Sequence, residues 1–84
     1  MNIGGKLTIE EKKNKGAYLV SMELGKVNVE MTAFFTNKVP EKKIKNVDEG
    51  DTIHFTGFTS IRKSTYNGYD NYDTILNITA IDKE

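Results

Sequence analysis

The chain contains no cysteine, so neither a disulfide nor a thiolate metal site can staple it. His54 is its only histidine, and no zinc-ligand spacing, phosphate-cradling glycine loop or nucleophile elbow is present. The signatures of an enzyme are therefore missing, and no cofactor or metal is expected. Net charge is also missing: 12 basic residues balance 12 acidic ones, so bulk electrostatics cannot argue for a nucleic-acid partner. No apolar run approaches the roughly 20 residues that cross a membrane. The opening Met1-Asn2-Ile3-Gly4-Gly5 lacks the charged and apolar regions of a signal peptide. A cytoplasmic protein without a membrane segment is expected.

The 84 residues suffice for one domain spanning 1–84 and a small core. There is no internal repeat, linker or low-complexity tail. Alternating apolar residues, the mark of half-buried strands, recur along most of the chain. Lys6 to Glu11 places Leu7 and Ile9 on one side. Ala17 to Leu24 aligns Tyr18, Val20, Met22 and Leu24, after the polar turn Lys12-Lys13-Asn14-Lys15-Gly16. Val27 to Phe35 has the clearest period. Val27, Val29, Met31, Ala33 and Phe35 share one face; Asn28, Glu30, Thr32 and Phe34 share the other.

Lys38 to Asn46 is the only helix candidate, with Asn37 to cap it, Pro40 in its first turn, and Ile44 and Val47 to plug a core. Its alternatives are a 3₁₀ turn or a loop. The run Glu49-Gly50-Asp51-Thr52 then opens a fourth strand, Thr52 to Lys63, with Ile53, Phe55 and Ile61 on one side. Gly57 within it marks a bend or bulge. Tyr66-Asn67-Gly68-Tyr69 signals a tight hairpin, because Asn-Gly tolerates positive φ. Tyr72 to Ile81 is the last strand. Three strands, a small helix and two strands make the layout of an all-β, five-stranded OB-fold barrel with one short helix or turn between strands three and four.

Single-stranded nucleic acid is held by flat rings that stack on bases and by cations that follow phosphates. Candidate platforms are Phe34 or its neighbour Phe35, Phe58, Tyr66, Tyr69 and Tyr72. Candidate phosphate partners are Lys6, Lys12, Lys13, Lys15, Arg62 and Lys63. Each has a plainer alternative. Phe35 shares the parity of the buried face. Phe34 and Phe58 fit subunit packing as well as stacking, and tyrosines of a hairpin pack across strands. The lysines at 12 to 15 taken alone are a solvated turn, although in OB-folds the loop between strands one and two flanks the binding face. Asp70, Asn71 and Asp73 lack the remaining ligands of a calcium loop and read as turn polarity.

The chain resembles bacterial and phage single-stranded DNA-binding proteins from about Gly5 to Asp82. The closest stretches are Glu49 to Gly57 through Ile61-Arg62-Lys63, then Tyr69 to Ile81. The resemblance implies sequence-independent binding of single-stranded DNA in replication or recombination, without catalysis, by a homo-oligomer (dimer or tetramer). It also implies a stacking aromatic late in the third strand: Phe34 by parity, or Phe35 if the strand is bulged. Arg62, Lys63 and Tyr66 match the family's basic and aromatic hairpin. The chain departs from the family in having no tryptophan, no tail with an acidic tip after Ile81-Asp82-Lys83-Glu84, and no net charge. A compact phage or mobile-element form fits the first two departures. RNA binding and a protein-binding adaptor remain open as alternatives.

Overall fold

The computed structural model describes residues 2–83, apart from the side chains of Lys15, Leu24 and Lys83. Five strands carry nearly all of the chain: β1 (Asn2–Lys12), β2 (Ala17–Leu24), β3 (Val27–Phe35), β4 (Thr52–Tyr66) and β5 (Tyr69–Lys83). A 3₁₀ turn at Asn14–Gly16 joins the first two, and the helix α1 (Glu41–Lys45) lies between β3 and β4. The strands close into a barrel in the order β1-β2-β3-β5-β4. Every neighbouring pair is antiparallel except β3 and β5, which run parallel over Thr32–Phe35 and Ile75–Ile78.

The alternation seen in the sequence becomes the inside and outside of this barrel. Leu7, Ile9, Val20, Met22, Ala33, Ile53, Phe55, Leu76, Ile78 and Ile81 are buried within it. Burying such a side chain contributes about 1.5–3 kcal/mol. Tyr18, Met31 and Phe35 pack against the same core from its margin. Two expected inward residues differ. Val27 is 61% and Ile61 72% exposed. Their parity is as expected, but Ile61 lies three residues beyond Phe58, where β1 and β4 stop pairing. Strand alternation specifies a face of a strand, not whether another layer covers it.

The helix is shorter than expected. Pro40 is its N-cap residue, with ψ 138°, and Asn37 is not. Proline has no N–H and its own backbone is extended here, so the helical hydrogen bonds start from its carbonyl. That oxygen accepts from Lys43 N at 2.9 Å and Ile44 N at 3.2 Å. The plug consists of Val39 and Val47, both buried, with Ile44 partly buried.

Strands β1, β4 and β5 are longer than their apolar patterns. Pairing with Phe55–Phe58 draws residues 2–5 into β1. The Gly-Asp turn opening β4 is bound to β1. Gly50 (φ 91°) donates its N–H to Ile9 O at 2.7 Å, and Ile9 N donates to Asp51 O at 2.8 Å. Glu10 is the extra residue of a bulge beside this contact, where β1 bends from β4 toward β2. A second bulge leaves Thr79 of β5 unpaired opposite Thr56 and Gly57. It is why Ile78 and Ile81 both point inward although they are three positions apart.

A candidate nucleic-acid interface on the outer face

Residues paired across a sheet share a face. Phe34 pairs with Ala17 on one side and with Asn77 on the other; Asn77 pairs in turn with Phe58, and Phe58 with Asn2. These residues form one row across the outside of β2, β3, β5, β4 and β1. Phe34 and Phe58 therefore stand on the same surface. They are two strand spacings apart, roughly 10 Å along a flat sheet. Phe34 is half-buried and Phe58 exposed. The next row, Leu19–Thr32–Ile75–Ser60, is partly buried on the same face.

Beyond the barrel, β4 and β5 continue as a two-stranded arm. It closes on a two-residue turn in which Asn67 (φ 51°) and Gly68 (φ 80°) both adopt positive φ, the type I′ pattern that Asn-Gly favours. Arg62, Tyr66 and Tyr69 lie on the ribbon face continuous with Phe58 and Asn77, by the unbroken register of the arm. Arg62 folds back toward the barrel, with its guanidinium carbon 5.9 Å from the centre of the Phe34 ring. The same guanidinium lies 3.8 Å from the Asp73 carboxylate. Because β3 and β5 pair only over four residues, they diverge toward the arm. The gap is an open groove of ≈ 580 Å³ between Val29–Thr32 and Arg62, Asp73 and Thr74.

The other candidates are distributed elsewhere. Phe35 faces the core side and meets Tyr18 edge-on, with centroids 4.9 Å apart and an interplanar angle of 71°. Lys63 and Tyr72 pair with each other on the opposite face of the arm, where the Lys63 ammonium is 3.5 Å from Asp70. Lys12 sits against the acidic turn: its Nζ is 3.8 Å from Asp48 and its backbone N–H donates to Glu49 Oε2 at 2.9 Å. Lys13 is exposed and donates its N–H to Ala17 O, which sets it at the end of the row that contains Phe34. The Lys15 side chain lies outside the described residues. Lys6 is exposed on β1, and His54 is exposed on β4.

Asp70 and Asp73 fall on opposite faces of the arm and pair with Lys63 and Arg62. Among the described residues no group of three His, Cys, Asp or Glu side chains could hold a metal ion. Asn77 and Ser60 had no signal in the sequence. Their place between the two phenylalanines follows from a cross-strand register that only the folded chain reveals.

No protein-family model matches the chain, and no curated protein matches it in sequence. Solved structures do. The mitochondrial single-stranded DNA-binding protein Rim1 of S. cerevisiae matches with a TM-score of 0.67 at 11% identity, over 99% of this chain and 93% of that one. A second crystal structure of Rim1 gives a TM-score of 0.68 at 10% identity, with the same coverage. The small single-stranded DNA-binding protein of Streptomyces coelicolor matches with a TM-score of 0.54 at 14% identity, over 100% of this chain and 94% of that one. The fold is an OB-fold. At these identities the likeness establishes the architecture, and the chemistry has to be argued from this chain's own residues. Among the described residues no helix is long and apolar enough to cross a membrane.

Proposed function

We propose that this OB-fold binds single-stranded DNA across the outer face of β3, β5 and β4, without catalysis and with little sequence preference. The observation that carries the proposal is the shared row of Phe34 and Phe58 with the Arg62 guanidinium over Phe34. Stacking on such rings contributes about 1–3 kcal/mol per base and tolerates any base, since every base has a π-face. Lys13 at one end of the row and Arg62 beside it supply positive charge for the phosphates. Arg62 is tied to Asp73 by a loose, exposed pair, of a kind that contributes at most about 1 kcal/mol. Exchanging that partner for a phosphate costs little. Structural neighbours that are themselves single-stranded DNA-binding proteins support the reading.

In this role the protein covers exposed strands during replication or recombination, as a compact form of the kind phages or mobile elements would carry, and works as a dimer or tetramer. Fluorescence anisotropy with an oligothymidine at low and high salt tests the binding. Affinity should fall as salt rises, because cations condensed on DNA are released on binding. Absence of binding at low salt would overturn the proposal. Matched RNA and duplex competitors decide the sugar and strand preference, since stacking alone does not choose them.

One observation favours a protein partner instead: Tyr66, Tyr69 and Tyr72 are all at least 65% exposed on the arm. Gel filtration and pull-down with and without oligonucleotide separate the two readings.

A further inference from the structure

Resting on that reading, we propose that Asn77 gives the DNA-binding face a base preference, through a single hydrogen-bond acceptor presented between the two rings. Asn77 stands between Phe34 and Phe58 in the same outward-facing row. Its Nδ2 donates to Ser60 Oγ at 2.9 Å and to the Phe58 carbonyl at 3.3 Å. A carbonyl oxygen can only accept, so the amide nitrogen, not the oxygen, faces Phe58. Both hydrogens of the Asn77 amide are committed to β4 in this way. The Oδ1 atom is turned away from Ser60 and accepts no hydrogen bond among the described residues. Asn77 is only partly buried, so this oxygen is open to a ligand.

From Asn77, a base lying near Phe34 or Phe58 thus meets an acceptor and no donor. Cytosine and adenine offer an exocyclic amine, N4–H₂ or N6–H₂, that can donate to it. Thymine has one edge donor, N3–H, set between two carbonyl oxygens. An amide free to rotate could satisfy one of those oxygens with its own N–H, but Ser60 and Phe58 hold this amide in place. Asn77 therefore adds a preference for amino-bearing bases over thymine, beyond what stacking alone sets.

Oligocytidine and oligothymidine deoxynucleotides of equal length, titrated by anisotropy at one salt concentration, test this. Asn77→Ala should weaken oligocytidine binding about threefold to tenfold more than oligothymidine binding, the range of one net hydrogen bond. Ser60→Ala releases one amide hydrogen and should narrow the difference between the two oligomers without Asn77 being altered. Equal loss on both oligomers, or no loss on oligocytidine, overturns the assignment while leaving DNA binding intact. If the unaltered protein binds neither oligomer, the functional reading itself fails.

Discussion

The guanidinium of Arg62 lies over the ring of Phe34, 5.9 Å from its centre, although Arg62 is on the arm and Phe34 on the parallel-paired end of β3. The contact places a cation on the one aromatic residue of β3 that faces outward. It also means that a base reaching Phe34 must slide between ring and guanidinium or displace the latter. In both cases two planar groups and a positive charge are available to one nucleotide.

Phe34→Ala should weaken oligothymidine binding by about 1–3 kcal/mol, the range for loss of one stacking platform. Anisotropy titration measures it, with circular dichroism confirming that the barrel is intact. Unchanged affinity in a folded variant rejects Phe34 as a stacking residue.

Arg62→Ala should lower affinity and flatten its salt dependence. Each phosphate contact on a single strand contributes about 0.7 to the slope of log affinity against log salt, so loss of one cation should reduce the slope by about that amount. Titration at four or five salt concentrations gives the slope directly. A variant with the parental slope would mean that Arg62 does not meet a phosphate.

Gly57→Ala should destabilise the barrel by about 1–3 kcal/mol, as overpacking does. A Cβ at Gly57 would sit 2.3 Å from the Asn77 carbonyl oxygen, a backbone atom that cannot swing aside. Urea unfolding measures the loss. Because the displaced backbone is that of Asn77, DNA affinity should fall in the same variant even where it remains folded.

Tyr66→Ala and Tyr69→Ala together should change stability by no more than about 0.5 kcal/mol, as expected for exposed positions away from the core. They should lower affinity for oligomers long enough to reach the arm while sparing short ones. Equal losses at every length would place their effect on the barrel instead.

Much of the barrel was legible because burial repeats with the strand. Leu7, Ile9, Val20, Met22, Ile53 and Phe55 were readable as inward-facing from parity alone, and they are buried. Asn67-Gly68 was legible as a turn because few other residue pairs accept two positive φ values. What could not be read depends on partners distant in the chain. Ile61 has an inward residue's parity and no neighbour above it. Lys12 looks like a free cation until the Asp48–Asp51 turn folds against it. The row that aligns Phe34, Asn77 and Phe58 is set by pairings of β5 with two different strands and by the extra residue Thr79. A bulge of that kind has no signature in residue type.

The pairing of β1 with β4 has a kinetic consequence. It joins Asn2 to Phe58 and Thr8 to Thr52, so the cylinder cannot shut until a loop of more than forty residues has been drawn closed. Folding dominated by such remote pairings proceeds in milliseconds to seconds rather than microseconds. On the ribosome, the apolar side of the first three strands stays uncovered until β4 has emerged.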